Sequence, residues 1–77
     1  MPWKEENDKL VNEFEFQDFK EAFAFITKVA LAAESAQHHP EVLNVYNKVK
    51  LSLSTHDDGG KVTQKDHKLA DQIDRLL

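Results

Sequence analysis

This chain of 77 residues contains no cysteine, so no disulfide holds it together. Glycine and proline occur only twice each. Both glycines fall side by side at Gly59-Gly60, which lacks the spacing of a phosphate-binding loop and reads as a turn. No apolar run is long enough to cross a bilayer, and neither a signal peptide nor a targeting tail is visible. These absences lead to the expectation of a cytoplasmic protein without membrane contact. An excess of basic residues is missing too, because 14 acidic side chains face 10 basic ones, for a net charge of −4. A face that binds nucleic acid directly needs clustered Lys and Arg, so none is expected. What remains is a single domain, residues 1–77. Such a chain buries only roughly 60% of the surface its unfolded form exposes, and small domains without staples often oligomerise.

The apolar pattern yields elements in the order β-β-α-β-β-α. Residues 3–7 read as a short first strand. Leu10, Phe14 and Phe16 share one face at period two, so residues 10–16 read as a second strand, with Asn12 breaking the apolar set. Asp18 starts a helix, and Glu21 three residues on completes a capping-box pattern. Phe19, Ala22, Phe23, Ile26, Val29, Ala30 and Ala33 form its stripe. Phe25 and Ala32 lie off that stripe, which predicts a cover from a partner subunit. Pro40 disfavours helical backbone at His39, so the helix should end near Gln37 or His38. Residues 42–55 are too long for one strand in so small a domain, and Asn47-Lys48 is the expected hairpin turn. Thr63 caps a last helix, with Asp66 three residues later and Leu69, Ala70, Ile73 and Leu76 buried. The expected fold is a two-layer α+β domain: a four-stranded antiparallel sheet with helices packed on one face.

Three of the four histidines gather around Glu34, His38-His39-Pro40 and Thr55-His56. Histidine is the side chain whose ordinary pKa lies near neutrality, so the cluster is a candidate acid–base site. Glu34 lies three turns from Phe23, on the apolar stripe and in a last turn whose dipole disfavours negative charge. It is either a functional group that orients His38, one turn above it, or a frayed-end residue that reaches water. A turn at Asn47-Lys48, continued along the hairpin, sets His39 opposite His56. Three histidines and a carboxylate are suitable zinc ligands. Adjacent side chains in extended backbone point to opposite sides, however, so His38 and His39 are poorly placed to chelate one ion. A flat ring substrate could touch both. His67 is expected on the outer surface of the last helix. Asp66 could face inward, and its capping position explains it equally well.

Taken together, Glu34, His38-His39-Pro40, Tyr46, His56 and Asp66 resemble the pattern of the pterin-4a-carbinolamine dehydratase family. The flanking phrases match as well: Phe14-Glu15-Phe16-Gln17-Asp18-Phe19, Asn44-Val45-Tyr46-Asn47 and Leu53-Ser54-Thr55-His56. The resemblance implies a lyase of tetrahydrobiopterin metabolism. Such an enzyme dehydrates 4a-hydroxytetrahydrobiopterin to quinonoid dihydrobiopterin and so recycles the cofactor of aromatic amino-acid hydroxylases. It implies a homotetramer and no metal or organic cofactor, the pterin being the substrate. By resemblance His38 and His56 are the acid–base pair, His39 mainly binds the pterin, and Glu34 tunes His38. Gln37, His38, His39, Ser54, Thr55, His56 and Asp57 would line the ring. Relatives carry a further N-terminal helix, which a chain starting almost at Trp3 is expected to lack. Gln37 stands where many relatives have Asp or Asn. Vertebrate relatives also serve as dimerisation cofactors of a homeodomain transcription factor, which leaves a protein-interaction role as the alternative.

Overall fold

In the computed structural model, which describes residues 3–55 and 59–77, four strands form one antiparallel sheet covered on one face by two helices. The elements are β1 (Lys4–Glu6), β2 (Lys9–Glu15), α1 (Phe19–Ala36), β3 (Glu41–Val45), β4 (Lys48–Leu53) and α2 (Gln64–Asp74). Their order in the sheet is β1-β2-β4-β3. The expected α+β class and element order are therefore present, with boundaries moved by a residue or two.

Period-two alternation decides which face is buried. Leu10, Asn12 and Phe14 of β2 pair with Leu53, Leu51 and Val49 of β4, and all six are buried. Their odd-numbered neighbours on β2 and even-numbered ones on β4 face the other way, toward water. Helix α1 lays Ala22, Phe25, Val29 and Ala33 on the buried face, and α2 adds Leu69, Ala70 and Ile73. Phe25 packs between Phe14 and Phe16, with ring centroids 4.9 and 5.0 Å away.

Two sequence expectations are corrected here. The helix stripe is rotated from the one the periodicity favoured: Phe25 is 4% exposed and central to the core, while Phe23 is 52% exposed. Both are phenylalanines two positions apart, and either stripe satisfies a 3.6-residue period. The hairpin turn lies one residue earlier than expected. Val45 pairs with Lys48 and Asn44 with Val49, leaving Tyr46-Asn47 as the turn. Three side-chain bonds fix that register. The Asn44 amide donates to the carbonyls of Tyr46 and Lys48, and the Asn47 amide donates to the Phe16 carbonyl at 2.9 Å. Tyr46 is held at φ 51°, in the left-handed region that a bulky side chain rarely adopts.

The β1–β2 connection is a second tight turn. Asn7 and Asp8 sit at φ 50° and 63°, the paired left-handed conformation of a type I′ turn. Trp3 closes the fold from the side: its ring meets Phe14 edge-on and its indole N–H donates to Asp74 of α2 at 3.1 Å.

Candidate active site

The site is built where α1 ends. Gln37 takes the left-handed conformation at φ 52°, and its N–H returns to the Glu34 carbonyl. The His38 N–H then bonds the Ala33 carbonyl at 3.1 Å. This pair of reversed bonds is a Schellman cap, which stops the helix and turns the chain sharply. Gln37 also donates its side-chain amide to the Glu34 carbonyl. The helix thus ends at Ala36, slightly before Pro40 would require it, and the reversal carries His38 toward α2.

There the His38 ring meets Asp66. The imidazole Nε2 lies 2.5 Å from Asp66 Oδ1, the carboxylate is fully buried, and the His38 side chain is only 13% exposed. Asp66 is N3 of α2, and it forms a capping box with Thr63. Its Oδ2 accepts from the Thr63 N–H and from the Thr55 hydroxyl, each at 2.8 Å. Burial pushes the Asp66 carboxyl up. The bonds from His38, the Thr63 N–H and Thr55, together with charge on the imidazole, outweigh that and hold its pKa below the ordinary carboxylate range. A buried carboxylate that stays ionised fixes the proton of the facing ring nitrogen. His38 therefore keeps its proton on Nε2 and turns Nδ1 to the outside.

His39 has a separate partner. Its Nε2 lies 2.8 Å from Glu34 Oε1, and both side chains are largely in water. The expectation that Glu34 orients His38 is thus corrected. With the stripe rotated, Glu34 lies on the wet side of α1, and the chain reversal brings His39 rather than His38 back over it. His38 and His39 turn to different carboxylates, one inside and one outside.

Thr55 directly follows Ser54 at the end of β4 and pairs with Lys61 in an isolated bridge, Thr55 N–H to Lys61 carbonyl at 2.9 Å. Gly60, at φ 75°, returns its N–H to the Thr55 carbonyl, a backbone geometry that suits glycine. The Thr55 hydroxyl is buried and bound to Asp66, so it supports the site from below rather than facing a ligand. His56 and Asp57 lie outside the described residues, and so does the expected pairing of His56 with His39. In the observed register a continued hairpin would set His39 opposite Ser54, and His39 itself precedes β3. Tyr46 is not brought to this corner. It sits at the other end of β3, roughly 20 Å from Pro40 at the usual strand rise. His67 is exposed on the outer side of α2, as expected. Sequence reasoning left Asp66 between two roles; its place seven residues before Ile73, on the buried stripe, was the signal that it points inward.

The two-layer α+β domain thus brings one imidazole onto a buried carboxylate and the next histidine onto an exposed one, groups chemically able to exchange protons near neutrality. The model of the pterin 4 alpha carbinolamine dehydratase family matches residues 1–76, and the chain belongs to that family. Among similar proteins is one from Prochlorococcus marinus (strain NATL2A) named "Putative pterin-4-alpha-carbinolamine dehydratase". It is 51% identical over 75 residues, which cover 97% of this chain and 78% of that one. A protein of the same name from Solibacter usitatus is 50% identical, over 96% of this chain and 77% of its own. The crystal structure of a "transcriptional coactivator/pterin dehydratase" from Brucella melitensis superposes with a TM-score of 0.89 at 38% identity, covering 96% of this chain and 80% of that one. A pterin dehydratase-like protein described as a RuBisCO assembly factor in the α-carboxysome shares the fold, with a TM-score of 0.84 at 20% identity over 99% of this chain and 89% of its own. No helix among the described residues is long and apolar enough to cross a membrane.

Proposed function

We propose that this protein is a 4a-hydroxytetrahydrobiopterin dehydratase, which eliminates water to give quinonoid dihydrobiopterin and so returns an oxidised pterin for re-reduction. The observation that carries this reading is the His38–Asp66 pair, an imidazole held in one orientation with Nδ1 left for a substrate. The reaction needs one proton delivered to the hydroxyl on C4a, which leaves as water, and one removed from N5. The site groups end the cycle with the protons they began with. His38 through Nδ1 performs one transfer and His56 the other, while His39, steadied by Glu34, binds the ring. Gln37, Ser54 and Asp57 would complete the ring's surroundings. The chemistry calls for no metal or organic cofactor.

The test is the steady-state dehydration rate of His38→Ala, His56→Ala, the double variant and His67→Ala. Each single replacement should lower the rate by roughly 10²–10⁴-fold, within the limit set by the uncatalysed reaction. The double variant should retain almost none, and His67→Ala should change little. Near-full activity in the double variant would sink this reading.

We further propose that the chain assembles with copies of itself, as a tetramer. The support differs from the one read in the sequence, since Phe25 is core. Phe19, Phe23 and Leu31 remain exposed on α1, and Leu43 and Val45 on β3.

A further inference from the structure

A hydroxyl in a buried position is costly unless it is bonded, and valine would fill the volume of Thr55 at the end of a strand with better β preference. Thr55 nevertheless offers its hydroxyl, at 3% exposure, to Asp66 Oδ2. Helix capping alone does not require this, because the Thr63–Asp66 box is complete without it. The hydroxyls form a directed chain. The single proton of Thr55 goes to Asp66, so in the 2.7 Å contact between Thr55 Oγ1 and Thr63 Oγ1 the donor is Thr63. Thr63 Oγ1 in turn accepts from the Lys65 N–H at the start of α2. Every donor in the series thus points toward one carboxylate, whose other oxygen holds His38 Nε2.

We propose that Thr55 and Thr63 are positioning residues for His38: their hydroxyl chain locks the rotation of the Asp66 carboxylate, and that lock keeps the His38 ring proton on Nε2 and its Nδ1 aimed at the substrate. The proposal rests on the reading of His38 as an acid–base group, and it extends the site to two residues that touch no reacting atom. Without the Thr55 hydroxyl, Oδ2 keeps only the Thr63 N–H. The carboxylate can then swing and the ring follows it.

The experiment compares wild type, Thr55→Val and Thr55→Ser by proton NMR of the imidazole N–H and by steady-state dehydration kinetics. The His38 Nε2–H resonance is assigned by its loss in His38→Gln. In wild type it should be downfield and slowly exchanging. In Thr55→Val it should move upfield and broaden, kcat should fall about 10-fold, and KM should stay within about 3-fold. Thr55→Ser should restore both readouts. A purely structural role would lower thermal stability and leave both unmoved. Thr63→Ala, altered at a half-buried helix terminus, should give the same changes at smaller size and keeps the test available if Thr55→Val does not fold. A folded Thr55→Val protein with an unmoved resonance, or with the resonance moved and kcat unchanged, overturns the proposal. If wild-type protein does not dehydrate the carbinolamine, the dehydratase reading fails, and the resonance alone decides this one.

Discussion

Asp66 closes the first turn of α2 with one oxygen and holds His38 with the other. Glu34, by contrast, reaches His39 in water. Exposed pairs contribute little, while a buried partner of an imidazole governs its proton. Glu34→Gln should therefore change kcat by less than about 10-fold, with its effect mainly in KM. Asp66→Asn should lower kcat by about 10²-fold or more, because an amide can donate to the ring nitrogen and favour the wrong tautomer. Steady-state kinetics of the two variants at neutral pH check the contrast, and the reverse ranking would overturn it. At this scale the sequence was informative about which residues gather and less so about who partners whom. Glu34, His38 and His39 were legible from spacing. The exchange of partners was not, because it depends on the left-handed turn at Gln37, a conformation that glutamine does not advertise.

Helix α1 carries two apolar sets on one cylinder. Phe25 lies against Phe14 and Phe16, whereas Phe19 and Phe23 pair outside with ring centroids 5.8 Å apart. Phe25→Ala should cost about 3–5 kcal/mol, enough to unfold much of so small a domain. Phe23→Asp should leave the circular dichroism intact and lower the assembled mass in light scattering. A Phe23→Asp protein of unchanged mass would place the self-contact elsewhere. The two edges of the sheet differ in the same sense. Strand β1 is three residues long and fully charged, a well-protected edge, while β3 exposes Leu43 and Val45. Element type and order could be read from periodicity and caps: the Asp18 and Thr63 caps both fall where the sequence placed them. Helix rotation could not, because the eleven apolar side chains from Phe19 to Ala33 satisfy more than one stripe. The turn shifted by a residue because Asn47 acts through its side chain, pinning Phe16, and tyrosine accepts the strained position beside it.

For the molecule as a whole, the lowered pKa of Asp66 links stability to acidity. Its folded pKa lies below its unfolded one. Its contribution is then complete above the unfolded value near 3.9 and is lost as pH falls through the folded value. Denaturant midpoints should fall in wild type as the pH is lowered from about 4 toward the folded value, and by less in Asp66→Asn. Equal pH dependence of the two proteins would show that other carboxylates carry the acid sensitivity. One contact also bears on the topology of the whole chain. Trp3 and Asp74 are 71 positions apart in sequence and share a hydrogen bond. Between these two residues the polypeptide therefore runs close to a closed ring. A ring has no privileged starting point. The same fold is open to circular permutation, with a short linker joining the Trp3 side to the Asp74 side and new ends cut at a surface turn.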